Sequence, residues 1–334
     1  MDYIKLPRAD DMHVHLRQGV TMSSYAKTVE QYAGRAVVMP NTLPPITTPR
    51  ALDKYRGQIT KAAPHLMPLM TFKLVSGMEP DLIQEIKQAG AVAGKLYPEG
   101  VTTNSEDGVR DIAELYPVFS SMEQNELVLC LHGESPNASA LERETAFFPV
   151  VEDIARNFIN LRIVFEHVST ADGVDFIGGL PDTVAATVTV HHLLFTLDDM
   201  VADGLNPHLY CKPLLKNAAD RASLQEKVLA GDPRFFFGTD SAPHPRSAKE
   251  GPLSAAGVYS APVAVPLLID FFESSGNLGG LESFIAAYGA DFYGLSRSIE
   301  SIRWARKPWR VPSLIDGAVP LCAGKRLSWQ LDSD

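Results

Sequence analysis

Hydrophobic positions along this chain follow two alternating rhythms. Short runs rich in Val, Ile, Leu or Phe recur between longer stretches whose apolar residues return every three or four positions. That is the pattern of strands joined by helical crossovers around a parallel sheet. Eight runs stand out: MHVHL (12–16), RAVVMP (35–40), LMPLMTFKL (66–74), VAGKLY (92–97), LVLCLHG (127–133), RIVFEH (162–167), VAATVTV (184–190) and RFFFGTD (234–240). Helix signals lie between them. Thr48 is placed to cap a helix with Pro49 at its first position, and Leu52, Tyr55, Ile59 and Ala62 fall on one side of it. A second helix opens at Pro80 and closes at Gly90, and a third, over 111–125, must kink or restart at Pro117. Eight strands with helical crossovers and no linker-like segment predict a single (β/α)8 barrel domain over 1–334, in preference to a doubly wound open sheet.

The polar residues that interrupt the apolar runs fall at strand ends. His13 and His15 close the first run, Lys95 the fourth, His132 the fifth, His167 the sixth and Asp240 the eighth. In barrels of this kind, reactive side chains come from the C-terminal ends of several strands. Residues two apart on a strand share a face, so His13 and His15 point the same way. Taken alone, such a pair is as compatible with a half-buried strand as with a metal site. Five strand ends of this type change the balance, because four histidines and an aspartate are expensive to bury without a compensating cation. Lys95 is the misfit, since an ammonium near a divalent cation is repelled. A neutral amine can take up carbon dioxide as a carbamate, which would bridge two metals; the spacing equally allows a lysine that snorkels to the surface.

Composition narrows the class. The 334 residues are 45% hydrophobic and 21% charged, with a formal net charge of −10. That balance argues against a nucleic-acid or membrane-surface partner, and it requires any anionic substrate to be held by a local positive site. Three cysteines without CxxC spacing (Cys130, Cys211, Cys322) indicate neither a disulfide framework nor a thiolate zinc site. The N-terminal residues lack the apolar core of a secretory signal, and the apolar stretch from Ser260 is broken by two prolines. The expected location is the cytoplasm.

Longer motifs are more specific. DDMHVHLRQG, AVVMPNTLPPITT, KLYPEGVTTNS, LHGE, FEHVSTADG, PHLYCKPLLK and GTDSAPHPRSAKEG run through nearly the whole chain, which resembles the dihydroorotases of the amidohydrolase superfamily. The resemblance implies that His13, His15 and Asp240 hold one zinc, and His132 and His167 a second. Carboxylated Lys95 and a hydroxide would bridge the two, with Asp240 moving the proton. It implies that Arg17, Asn41 and His244 grip a substrate carboxylate, with His15 and His132 also beside the substrate. Lys212 and Ala256 would contact it through backbone, and Thr102 and Thr103 would belong to a closing loop. The reaction implied is the reversible cyclisation of N-carbamoyl-L-aspartate to L-dihydroorotate in pyrimidine synthesis, by a homodimer. Three features depart from the family pattern: Lys212 stands where an apolar residue is expected, the 252–262 segment lacks the cysteines of some relatives, and His191 stands beside His192. The rival readings are another cyclic amidohydrolase, of hydantoinase or dihydropyrimidinase type, and an inactive relative serving as a scaffold. His65, His191, His192 and His208 are expected in packing or surface roles, with one of the adjacent pair approaching the metals from the end of the seventh strand as the alternative, and Cys130 and Cys211 as small buried apolar residues. Tyr97 is expected to shape a turn, and Arg246, Lys249 and Glu250 to form a solvated loop, with a role at the site mouth as the lesser alternative.

Overall fold

A computed structural model describes residues 2–101, 105 and 108–332. Its strands are β1 (Tyr3–Pro7), β2 (Ala9–Val14), β3 (Ala33–Val38), β4 (Met67–Lys73), β5 (Ala91–Leu96), β6 (Val128–Leu131), β7 (Ile163–Phe165), β8 (Val184–Val188) and β9 (Phe235–Phe237). Four short strands follow: β10 (Ser301–Ala305), β11 (Trp309–Arg310), β12 (Arg326–Leu327) and β13 (Gln330–Leu331). Strands β2 to β9 are the eight read from the sequence, and they lie side by side in chain order in one parallel sheet. The ring is closed beyond β9 rather than along it. Val14 and Ser241 form a parallel bridge, Asp240 N–H donates to the His13 carbonyl (2.8 Å) and His15 N–H donates to that of Ser241 (3.0 Å). The bonds that complete the barrel are therefore made by the residues that carry the strand-end polar groups.

Alternation sorts each strand into two faces. Val38, Met70, Phe72, Leu129, Leu131, Ile163, Phe165, Val184, Phe235 and Phe237 pack outward beneath the helices. Met12, Val37, Leu69, Ala93, Cys130, Val164, Ala185 and Phe236 fill the interior, plugged from below by Tyr288, Phe292 and Tyr293. Two residues further along, the same inward face carries Lys95, His132, Glu166, Thr187 and Gly238, so an apolar floor gives way to a polar layer at the C-terminal mouth.

The helices follow their sequence signals. In Pro49–Ala62, Thr48 accepts from Ala51 N–H and Leu52, Tyr55 and Ile59 are buried. In the segment over 111–125 the helix does restart. A 3-10 turn at Ile112–Leu115 gives way to Tyr116–Gln124, with Pro117 in the first turn, where its missing N–H costs nothing. The apolar stretch after Ser260 becomes the helix Ala264–Ser274, and among the described residues no helix is long and apolar enough to cross a membrane. Two features were not expected from the sequence. One is the antiparallel sheet β1-β10-β13, in which Tyr3 to Pro7 pair with Ala305 to Ser301. The other is the β11-β12 pair.

Candidate active site

Hydrogen bonding at the mouth of the barrel fixes the histidine tautomers. His13 Nδ1 lies 2.7 Å from Glu166 Oε2 and His15 Nδ1 lies 2.8 Å from Asn41 Oδ1; both partners only accept, so both Nδ1 atoms carry the proton. In the neutral rings the Nε2 atoms are left with lone pairs, and the two atoms lie 3.3 Å apart. Asp240 Oδ1 completes the triangle, 3.3 Å from His13 Nε2 and 3.1 Å from His15 Nε2. Three lone-pair donors converge here, and all three residues are buried. Such a cluster needs either a shared proton or a cation between its members.

The electrostatics lean the same way. Burial alone would lower the pKa of His13, but Glu166 and Asp240 raise it to about 9. His15 is lowered to about 4 by burial, against the pull of Asp240. Burial would raise the Asp240 carboxyl, but His13 and His15 hold it well below the usual carboxylate range.

On the other side of the cleft, His132 Nε2 donates to Glu134 Oε2 (2.7 Å), which frees Nδ1 as a donor atom. The His167 ring stacks edge-on against His132 (centroids 4.7 Å apart) and lies 5.2 Å from the His13 ring, so it links the two groups. His167 Nδ1, Glu166 Oε1 and Lys95 Nζ are buried without a hydrogen-bond partner among the described residues. Lys95 is fully buried; its Nζ lies 5.3 Å from the Tyr97 ring centroid, and the same ring lies 6.2 Å from that of His132. Burial lowers the Lys95 pKa, and its charge bears on both His132 and His167. Orphaned nitrogens and a carboxylate oxygen around one cleft are a donor set that suits divalent cations.

The backbone is bent to bring these groups together. Arg17, His167 and Asp240 adopt left-handed conformations (φ 60°, 47° and 42°), each costing about 1–2 kcal/mol for a residue with a Cβ. The bends are held by Asp240 N–H on the His13 carbonyl and by His167 N–H on Thr187 Oγ1 (2.7 Å). Gly238 lets β9 come close, since a Cβ there would lie 2.9 Å from His13 Cβ.

A narrow cleft opens above the donors. Its walls include His13, His15, Arg17, Asn41, His132, His167, Lys212, Asp240 and Ala256. Arg17 Nε donates to the Pro243 carbonyl (2.9 Å). His244 Nε2 lies 2.9 Å from both Arg17 Nη2 and the Ala256 carbonyl oxygen; it can accept from the first or donate to the second, not both. Burial and the Arg17 charge lower His244 to about 3, so its ring is neutral. The structure thus gathers ten of the sequence-predicted site residues on the cleft or, for His244, directly against its wall, with Lys95 buried beside Tyr97 at its base. Thr102 and Thr103 lie outside the described residues.

Comparisons with known proteins identify the family. The amidohydrolase family pattern matches residues 9–308. A dihydroorotase of Shewanella denitrificans is 40% identical over 341 residues, covering 99% of both chains. The chain belongs to the dihydroorotase family of the amidohydrolases. Among solved structures, the dihydroorotase of Saccharomyces cerevisiae in complex with 5-fluoroorotic acid superposes with a TM-score of 0.94 at 35% identity, over 99% of each chain. That of Campylobacter jejuni gives 0.90 at 33% identity, over 99% of this chain and 98% of that one. The (β/α)8 barrel expected from the strand count is the fold of this dihydroorotase family.

Several expectations need correction. Lys249 is not in a solvated loop: it is 3% exposed, whereas Arg246 and Glu250 beside it form an exposed ion pair (2.8 Å). Tyr97 does more than shape a turn, because it lines the cleft. Asn41 orients His15 as well as facing the cleft. Glu134 and Glu166 were not among the expected site residues, although alternation from Val164 places Glu166 on the inward face of β7. His191, His192 and Cys211 form a second buried cluster. His192 is already engaged by Thr189 (2.8 Å) and the Pro213 carbonyl (3.1 Å), which also accepts from Cys211 (3.1 Å), so this cluster reads as packing.

Proposed function

We propose that this protein is a dihydroorotase that interconverts N-carbamoyl-L-aspartate and L-dihydroorotate in pyrimidine synthesis, as one barrel domain over 1–334 that pairs into a cytoplasmic homodimer. The observation that carries the reading is Arg17, a half-buried guanidinium on the wall of the cleft that holds the converging lone pairs of His13, His15 and Asp240. A donor cluster alone fits any cyclic amidohydrolase. A cation beside it fits a ring that bears a carboxylate.

His13, His15 and Asp240 would hold one zinc and His132 and His167 the other, with Lys95 shared between them. Burial favours the neutral Lys95 amine, whose Nζ lone pair can add to carbon dioxide and release a proton to water, giving an anionic carbamate. Two bound zinc ions would polarise the ring carbonyl and make water a nucleophile at neutral pH. The chain's own groups do the rest. Arg17, with Asn41 and His244 beside it, orients the substrate through its carboxylate, for which the planar fork is suited. Asp240, held ionised, accepts the proton of the attacking water and returns it to the ring nitrogen as the C–N bond breaks. Ring closure runs the same transfers backwards. Glu166 and Glu134 keep the protons of His13 and His132 away from the cleft.

The test is a ring-opening assay on L-dihydroorotate, hydantoin and dihydrouracil, each with and without added zinc. Turnover confined to dihydroorotate and dependent on zinc is expected. Preference for the rings without a carboxylate would favour the hydantoinase type, and inactivity on all three after zinc loading would favour a scaffold.

A further inference from the structure

Two segments that belong to no barrel strand form one wall of the cleft: Lys212 comes from the first, and Ala256 with Gly257 from the second. They meet where Gly257 N–H donates to the Tyr210 carbonyl (2.9 Å). Beneath that junction lies Lys249, at the end of the short helix Arg246–Lys249. Its Nζ donates to the carbonyls of Tyr210, Ala255 and Gly257, each at 2.8 Å, and sits 5.7 Å from the Tyr210 ring centroid. An ammonium has three protons, and here each finds an acceptor. A planar guanidinium cannot direct three donors to convergent carbonyls in this way. Burial lowers the pKa of this group to about 8, so the cation is present at neutral pH.

We propose that Lys249 is a positioning residue for substrate. By tying the 255–257 segment to Tyr210, it sets the place of the Ala256 carbonyl and, through it, of the His244 ring whose Nε2 can donate to that carbonyl. Without the cation, three carbonyl dipoles would point at one another in a buried space, and the segment would turn to find other donors. Gly257 leaves no slack for a small adjustment. Its φ is 145°, and a Cβ there would lie 2.5 Å from the Ala242 carbonyl oxygen. The chain just before it faces solvent, with Leu253 91% exposed, and Ala255 N–H ties it back to the Ala248 carbonyl (3.0 Å). The sequence hides this role because the lysine sits between an arginine and a glutamate that are solvated.

The proposal rests on the reading of Arg17 and His244 as carboxylate ligands, so the experiment has an arm that does not need activity. Lys249→Met and Lys249→Arg proteins are assayed with L-dihydroorotate, and their amide exchange is followed over 255–258, with β6 as an internal control. KM is expected to rise about tenfold or more in both variants with kcat and zinc content nearly unchanged, and the Gly257 amide to exchange about tenfold faster. Wild-type KM and wild-type exchange in Lys249→Met would overturn the proposal. So would loss of protection throughout the barrel strands in both variants, which would make Lys249 a general stabiliser. If the unaltered protein fails to turn over dihydroorotate, the functional reading falls, and the exchange arm still judges Lys249.

Discussion

His13, His15 and His132 each owe their tautomer to a neighbour, and that is where single substitutions should speak most clearly. Glu166→Gln keeps the shape of the side chain but removes the charge that holds the proton of His13 on Nδ1. Metal affinity is expected to fall by about 10–100-fold, read by competition with a chelating dye; unchanged affinity would show that Glu166 has no part in metal binding. Asp240→Asn takes away both a lone-pair donor and the proton carrier, so kcat should fall by about a thousandfold or more while the circular dichroism spectrum stays that of the parent. Arg17→Met leaves the donors intact and strips the cleft of its guanidinium. Loss of a charge pair that the bound substrate would bury is worth about 3–5 kcal/mol, so kcat/KM for dihydroorotate should drop by about two to four powers of ten. Wild-type kinetics in that variant would show that the carboxylate is held elsewhere.

At the scale of elements, the mouth of the barrel is built by the closure of residues 240–241, beyond β9, onto the end of β2, and Gly238 permits it. A Cβ at that position would press on His13 and on Thr187 (2.9 and 3.1 Å). Gly238→Ala is expected to destabilise the protein by about 1–3 kcal/mol in urea unfolding and to lower bound metal, because His13 must move; parental stability with parental metal content would contradict this picture of closure. The eight strands were legible in the sequence because strands of a parallel sheet are buried on both faces and read as unbroken apolar runs. The flanking strand β1 was not, since five residues of alternating exposure gain meaning only beside β10, some three hundred positions away. The strand-end histidines were legible because a polar group that closes an apolar run is buried with it, and burial without a partner is costly. Their supports were less so. Glu134 lies beyond the end of β6, and Glu166 stands next to a histidine that already accounts for a polar strand end. His167 itself defies strand alternation and reaches the cleft through a positive φ that no pattern of apolar positions encodes. Lys249 is indistinguishable by type from the solvated residues around it.

For the molecule as a whole, the formal charge of −10 and an anionic substrate are reconciled by a local field: Arg17 and Lys212 both face the cleft. Sedimentation equilibrium should give twice the chain mass at micromolar concentration, and a monomer there would contradict the proposed homodimer. The donor set also ties stability to metal, because a cation that binds the folded barrel alone stabilises it by mass action. Stripping with a chelator should lower both activity and the melting temperature, and added zinc should restore both. The central claim is that residues from five strand ends hold two cations, with Lys95 shared between them. Elemental analysis of the purified protein beside Lys95→Ala tests it most directly. Two zinc ions per chain are predicted in the first and one or fewer, with activity lost, in the second. Two metals and full turnover in Lys95→Ala would contradict the claim.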